Sequence, residues 1–222
     1  VIVYFDLGET NIHKHDSFSR QFRDYPDLLR SKRFWGYCLS ATFASGAFFS
    51  FLGGGPLVAT SVLNLSPIAL GNYLILLAGG YMVGSFFSGQ FSETVGVRSM
   101  VLFGAAISFL GTSITLGLFV FGIFNVFTLF LPISLVGLGN GICLPNATSG
   151  FVSVNPKLAG SASGLGGAMM IGGGTILAVI TGNLMLFIDG PAALLGVMWA
   201  SNLLGVACAI FVYITIANMQ KE

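Results

Sequence analysis

Long stretches of this chain contain no charged residue, and they restrict its fold more than any other feature. No Asp, Glu, Lys or Arg occurs in residues 34–92, 99–156, 158–188 or 190–220. Only 8% of all residues are charged, against about 25% in soluble domains. A soluble fold of this size has no core large enough for so much apolar surface. The pattern therefore predicts that lipid surrounds most of the chain.

The uncharged stretches divide into helical spans, because a helix needs about 20 apolar residues to cross a membrane. The first two stretches are long enough for two spans each and are split at turn signals. The predicted spans are 34–60, 70–92, 99–120, 124–150, 160–186 and 191–218. We therefore predict an all-α membrane protein with a six-helix bundle over residues 34–222.

Residues 1–33 form a polar segment before the first span. Its later part, FSRQFRDYPDLLRSKRFW, combines basic and aromatic residues, as in a short helix that lies at the headgroup level. The chain begins Val1-Ile2-Val3-Tyr4-Phe5 without a Met. This start lacks the features of a signal peptide and predicts a fragment cut inside an earlier membrane helix.

The nine basic residues fall on alternate loops, whereas the opposite loops carry only Asp189. Because Lys and Arg accumulate on the cytoplasmic side, this distribution predicts that both ends are cytoplasmic. The basic residues are Lys14, Arg20, Arg23, Arg30, Lys32 and Arg33 before the first span, then Arg98, Lys157 and Lys221.

A weak internal repeat relates the two halves of the predicted bundle. Its positions recur at a constant offset of 89: Pro56, Pro67, Gly71 and Gly84 recur as Pro145, Pro156, Gly160 and Gly173. The first copy connects two spans on the outer side and the second connects two on the inner side. This arrangement predicts two inverted three-helix repeats, as in secondary transporters.

Small residues recur at four-residue spacing in spans one, two and five, which lets helices approach closely. Such faces serve either plain packing or a sliding movement, and the run Gly172-Gly173-Gly174 serves either close packing or a hinge. In span four, the prolines disturb the helical hydrogen bonds and predict a kink near Gly141. The candidates for kinks or packing are Pro132, Gly141, Pro145, Gly164 and Gly172.

No metal, cofactor, nucleic-acid or catalytic site is predicted. His13 and His15 are the only histidines, they lie in the polar segment, and no further metal ligands accompany them. No CxxC pair occurs, and the three cysteines fall in three different spans, where they suit a core. An enzyme is not expected, because no nucleophile has a nearby base.

Side chains suited to an apolar ligand lie on spans one, two, four and five. Aromatic and Met side chains offer a broad, adaptable surface, and Asn at membrane depth usually faces protein or water. For each candidate, ordinary packing or lipid contact is the alternative. The candidates for a substrate cavity are Phe48, Phe49, Tyr81, Asn140, Asn146, Met169 and Met170.

Residues 89–98, GQFSETVGVR, resemble the G-x-L-a-D-r-x-G-r-[rk] signature of the major facilitator superfamily, in the copy between helices eight and nine. Gly89 and Gly96 match, Glu93 takes the Asp position and Arg98 takes a basic position, whereas two further positions depart from the basic consensus. An acid that ends one helix and a base that starts the next can form a charge latch on the inner face.

A longer resemblance covers nearly the whole chain. The run LPNATSGFVSVNPKLAGSASGLGGAMMIGGG at 144–174, with FDLGET at 5–10 and FRDYPDLLRSKRFWGY at 22–37, resembles the bicyclomycin/chloramphenicol-resistance (Bcr/CflA) branch of drug:proton antiporters. The resemblance implies the central loop and helices seven to twelve of a twelve-helix exporter in the bacterial inner membrane. Its cavity would lie between two six-helix halves, and proton uptake would drive the efflux of amphipathic drugs.

The family's main loop signature, its antiporter motif and its proton-carrying membrane carboxylates lie in six helices that this chain lacks. No carboxylate falls inside a predicted span here. We therefore expect that protons are handled by the missing N-terminal half and that this segment alone does not couple them. The alternative is a truncated, non-transporting six-helix scaffold or interaction protein; a channel is disfavoured because no charged or carbonyl-lined filter is evident.

Overall fold

The computed structural model describes Pro26, residues 28–188 and residues 190–219. Within this part no strand occurs, and a 3₁₀ turn at Pro156–Leu158 leads into the fifth long helix. Six helices are long and apolar enough to cross a membrane, which confirms an all-α integral membrane protein. They are α1 (Lys32–Ser61), α2 (Pro67–Val95), α3 (Val97–Val120), α4 (Val126–Val152), α5 (Ala159–Leu184) and α6 (Ala192–Met219).

Every predicted span lies within three residues of an observed helix at both ends. The local sequence explains where several helices begin. Ser31 and Ser66 accept hydrogen bonds from the first turns of α1 and α2, and Asn125 forms a reciprocal capping box with Thr128 in α4. Gly96 separates α2 from α3 with φ = 88°, a conformation that favours glycine.

Several predictions concern residues outside the described part. These are the polar segment up to Tyr25 with most of its predicted surface helix, the His13 and His15 pair, Asp189, and Lys221. The described basic residues lie at the start of α1, at the start of α3 and just before α5. Because successive spans alternate in direction, these positions share one end of the bundle, which we name the basic end.

The six helices pack as two interleaved triplets. α1 packs against α4, α5 and α6, whereas α4 packs against α1, α2 and α3, and α3 packs against α6. The first triplet is α1, α2 and α3, and the second is α4, α5 and α6. If each helix of one triplet is replaced by its counterpart in the other, the same set of pairings results. Because α1 starts at the basic end and α4 starts at the opposite end, the second triplet is inverted. The structure therefore confirms the two inverted three-helix repeats.

Glycines bring the backbones of α2 and α4 into direct contact. A Cβ atom added at Gly84 would overlap the Leu138 carbonyl oxygen, and one added at Gly141 would overlap the Tyr81 carbonyl oxygen. The opposite side of α4 meets α3 in the same way through Gly104 and Gly139. α4 also continues through Pro132 and Pro145 as one helix. Its close approach to two neighbours is therefore a property of small residues on two of its faces.

Two glycines of α5 correct the packing prediction. A Cβ added at Gly164 or Gly172 would meet nothing within 4 Å, because that face of α5 points away from the other described helices. Gly173 and Gly174 instead face α1, where they lie against Thr42 and Phe49. The glycine run therefore has an outward and an inward side.

A matched pair of substitutions in α2 tests the backbone contact. Gly84→Ala places a methyl group against backbone atoms of α4 that cannot rotate away, and we expect it to destabilise the fold by about 1–3 kcal/mol. Gly79→Ala adds the same methyl group where nothing lies within 4 Å. It is expected to be neutral, or stabilising by up to about 1 kcal/mol. The measurement is the thermal unfolding midpoint of the full-length protein in detergent; equal midpoints for the two variants would contradict the contact.

Candidate functional site

A cavity of about 550 Å³ opens between α1, α2, α4 and α5. Almost all of its lining is apolar, and none of the described residues that line it is charged. From α1 to α5 the lining residues are Ser45, Phe48, Phe49, Leu52, Leu74, Leu77, Ala78, Tyr81, Met82, Asn140, Leu144, Met170 and Ile171. A volume of this size lies within the range of pockets that hold drug-sized molecules, about 300–1,000 Å³.

The α1 wall follows one helix face. Ser45, Phe48, Phe49 and Leu52 recur at spacings of three and four residues, so they project in the same direction. The rings of Phe48 and Phe49 meet edge to face, with centroids 6.0 Å apart. Phe49 occupies the space that a side chain at Gly174 would need. Because Gly174 of α5 has no side chain, the Phe49 ring can occupy this position in the aromatic wall.

The α2 wall repeats the same spacing. Leu74, Leu77, Ala78 and Tyr81 form one face, and Met82 stands at its edge with 72% of its surface exposed. Tyr81 belongs to the turn of α2 whose backbone touches Gly141. The contact between α2 and α4 therefore places the Tyr81 ring in the cavity.

Asn140 is one of the buried polar residues that line the cavity, with 1% of its surface exposed. Its Nδ2 donates to the Ala44 carbonyl at 3.1 Å, and the Ser108 hydroxyl donates to its Oδ1 at 3.5 Å. Asn202 of α6 in turn donates to the Ser108 carbonyl at 3.4 Å. These bonds connect α1, α4, α3 and α6 beneath the cavity. Asn140 therefore holds the cavity in shape.

Ser45 connects the α1 wall of the cavity to the α5 wall. Its hydroxyl lies 2.9 Å from the Thr42 carbonyl of its own helix and 3.0 Å from the Met170 carbonyl of α5, and donates to these acceptors. The Tyr81 hydroxyl has no hydrogen-bond partner among the described residues, and 39% of the Tyr81 surface is exposed. A ligand in the cavity would therefore find Tyr81 as its most available polar contact.

The structure brings five of the seven predicted cavity residues together, namely Phe48, Phe49, Tyr81, Asn140 and Met170. The other two lie elsewhere. Asn146 donates to the Ser88 hydroxyl at 2.8 Å and joins α4 to α2. Met169 accepts a bond of 3.5 Å from the Cys38 thiol and packs against the hydrophobic cluster of the basic end.

Sequence reasoning missed the aliphatic part of the lining, of which Leu52, Leu77 and Leu144 are examples. Leucine is common in every span, so its identity gives no sign of a cavity. The spacing of three and four residues from Phe48 and Tyr81 is a usable signal, because it marks the residues that share their faces.

The charged residues of the inner-loop motif lie at the junction between α2 and α3. Glu93 is exposed at the end of α2. The Arg98 guanidinium lies over the ring of Tyr213 in α6, 5.1 Å from its centroid, within the range of a cation–π interaction. Gly96 provides the positive φ between the two helices, and a side chain at Gly89 would meet nothing within 4 Å.

Two curated proteins are similar to this chain. The bicyclomycin resistance protein homolog of Haemophilus influenzae is 22% identical over 235 residues, which cover 100% of this chain and 55% of that protein. Multidrug resistance protein D of Escherichia coli is 28% identical over 192 residues, 86% of this chain and 47% of that protein. No protein-family model matches the chain.

The names of both relatives are those of drug-resistance proteins. They confirm the resemblance to the bicyclomycin/chloramphenicol-resistance branch of the major facilitator superfamily that residues 89–98 and 144–174 indicate. The chain spans about half the length of these curated relatives.

Two asparagines with different surroundings test the network beneath the cavity. Asn140→Ala removes the bond to the Ala44 carbonyl and leaves Ser108 without its side-chain acceptor, so we expect a loss of stability of about 1–3 kcal/mol. Asn183→Ala is the matched control, because Asn183 is exposed and bonds only within its own helix. Thermal unfolding of the full-length protein measures both. A midpoint for Asn140→Ala that equals the control would show that the network does not stabilise the bundle.

Proposed function

We propose that this chain is the C-terminal half of a multidrug efflux transporter that exports small amphipathic molecules by proton antiport in the full-length protein. The main observation that supports this proposal is the cavity between α1, α2, α4 and α5, whose described lining residues are uncharged. The names of the two relatives, which refer to bicyclomycin resistance and multidrug resistance, support drug export.

The chemistry of the cavity sets the class of ligand. Aromatic rings and Met side chains give contact area without demanding one ligand shape. None of the described lining residues is charged, so they offer no counter-ion to a charged ligand. The favoured substrates are therefore apolar or weakly polar molecules with a group that can hydrogen-bond to Tyr81. Chloramphenicol and bicyclomycin are suitable first probes.

The proton-coupling groups belong to the other half of the transporter on this proposal. Glu93 is the only acidic residue among 28–188 and 190–219, and it is exposed outside the cavity. A carboxylate that carries protons across the membrane needs a protected position within the spans. The described residues offer none, so the missing six helices are the proposed source.

The proposed location is the bacterial inner membrane, with the basic end in the cytoplasm. Arg30, Lys32, Arg33, Arg98 and Lys157 all lie at that end among the described residues. This asymmetry supports the orientation, since basic residues near membrane spans stay on the cytoplasmic side. The proposed partners are the lipid bilayer and the N-terminal half; no enzymatic activity or nucleic-acid binding is proposed.

Removing single cavity side chains is expected to weaken export. In cells that carry the full reading frame, Phe48→Ala and Tyr81→Ala should raise drug accumulation, because each loses about 1–3 kcal/mol of apolar contact with the ligand. Tyr81→Phe keeps the ring and removes the hydroxyl, so it distinguishes the effect of apolar contact from the effect of the hydrogen bond. The measurement is steady-state accumulation of the probe drug at equal protein levels.

Phe103→Ala provides the matched control for these variants. Phe103 lies on α3 with 57% of its surface exposed, and it does not line the cavity. We expect it to export like the unmodified protein. Unchanged accumulation in both Phe48→Ala and Tyr81→Ala would instead favour a non-transporting six-helix scaffold.

Proton antiport predicts a specific energy dependence. A protonophore should raise drug accumulation to the level of cells without the protein, because it removes the gradient that drives export. Depleting ATP while the gradient is maintained should leave accumulation low. Export that survives the protonophore, or that stops on ATP depletion alone, would contradict antiport without affecting the cavity assignment.

A further inference from the structure

A second cavity, of about 510 Å³, lies at the basic end, far from the apolar one along α1. Residues 30–33, at the start of α1, form one side of it. Phe211, Thr215 and Asn218, on one face of the last turns of α6, form the other. Three of the four residues on the α1 side are basic, namely Arg30, Lys32 and Arg33. The sequence pattern predicts that these charges orient the chain and lie at the headgroup level, but it predicts no binding site for them.

The basic segment is anchored against the bundle. Leu28 is buried in the hydrophobic cluster of the basic end, with 1% of its surface exposed. The indole of Trp35 donates to the Leu29 carbonyl at 2.6 Å, and the Ser31 amide donates to the Leu28 carbonyl at 3.1 Å. These contacts connect the segment to the first turn of α1. The three cationic side chains therefore start from fixed backbone positions.

Arg33 carries an unused donor inside the structure. Its Nε is buried and has no hydrogen-bond partner among the described residues. A buried guanidinium nitrogen without an acceptor is costly. Arg33 lines the cavity, so a rotation of its side chain would let the guanidinium donate to an anion bound there. Ser31 adds a second donor. Its oxygen accepts from the Phe34 amide at 3.3 Å, which leaves its own O–H available to the cavity.

The surroundings select for an anion with an apolar tail. None of the described residues that line this cavity is acidic. Phe211 borders the cavity with 47% of its surface exposed, and the exposed Leu204 lies two turns further into the membrane on the same side of α6. A phosphate group at the arginines and an acyl chain along this apolar strip would satisfy both parts of the surface.

We propose that the basic cavity is a binding site for a phosphate group, held by Arg30, Lys32 and Arg33 with the Ser31 hydroxyl, and that an anionic membrane lipid supplies this phosphate. Arginine suits the site because its planar donors match phosphate oxygens. Basic pockets between spans on the cytoplasmic side bind anionic headgroups in this way. Lipid occupancy would brace the start of α1 against the end of α6, independently of drug transport.

Lipid binding by the full-length protein tests the site. Phosphatidylglycerol is titrated into protein in phosphatidylcholine nanodiscs, and bound lipid is counted by native mass spectrometry. Arg33→Gln alone should weaken binding about fivefold, and Arg30→Gln, Lys32→Gln and Arg33→Gln together should weaken it by at least about tenfold, since each basic residue near an anionic surface contributes to the attraction. Thermal unfolding in pure phosphatidylcholine shows whether each variant is folded.

The control removes the same number of charges from elsewhere in the chain. Lys14→Gln, Arg20→Gln and Arg23→Gln together match the charge change of the triple variant, and this control should retain phosphatidylglycerol binding. Equal losses in both triple variants would show a nonspecific basic surface and overturn the site. Unchanged binding in the folded Arg30, Lys32 and Arg33 variant would overturn it too. Inorganic phosphate is the second probe: if it competes with the lipid at similar concentration, free phosphate rather than a lipid is the ligand.

Discussion

The direct contact between the backbones of α2 and α4 determines much of this structure. In lipid, apolar side chains gain little by moving from the membrane to a neighbouring helix, so helices associate through close van der Waals contact and hydrogen bonds. Gly84 and Gly141 allow that contact, because a Cβ atom at either would overlap a carbonyl oxygen of the other helix. Tyr81 and Leu77 lie on the same part of α2 and line the cavity. The shape of the candidate site therefore depends on residues that have no side chain.

The two inverted repeats use the same helix pairings with different chemistry. In the first, α2 meets α4 backbone to backbone. The equivalent pair, α5 and α1, meets through side chains: Leu177 lies against Gly46, and Phe49 against Gly174. Side chains between two helices hold their backbones further apart. The aromatic wall of the cavity, Phe48 and Phe49, belongs to this second pair, so the two repeats contribute to the site in different ways.

The sequence predicted the helices well and the cavity in part, for reasons that particular residues show. Charge and hydropathy depend on composition along the chain, so the spans could be located to within three residues. The direction in which a side chain points depends on rotation about a helix axis. Asn140 and Asn146 are six residues apart in α4 and lie on different faces, one at the cavity and one against Ser88. Met169 and Met170 are adjacent and also diverge.

The glycines of α5 also show that the sequence does not determine which side of a helix meets a neighbour. Gly172, Gly173 and Gly174 are identical in sequence terms, yet the first faces open space and the other two face α1. A stripe of small residues indicates that close approach is possible, and only the tertiary arrangement decides which partner uses it. The exposed stripe of Gly164 and Gly172 is accordingly a surface that the described residues leave uncovered.

An uncharged cavity also restricts how proton uptake can be linked to drug release. A proton cannot discharge an ion pair with the drug in this half, because none of the described lining residues is charged. Coupling then has to act through the relative stability of two shapes of the cavity, which the drug and the proton favour to different degrees. The contact of α1 with α5 suits such a change, since Ser45 and Phe49 join these helices through side chains that can rotate. The contact of α2 with α4 has backbone atoms on both sides and would move as one unit. On the proposed antiport, α1 and α5 are therefore the helices whose separation should respond to protons bound in the other half.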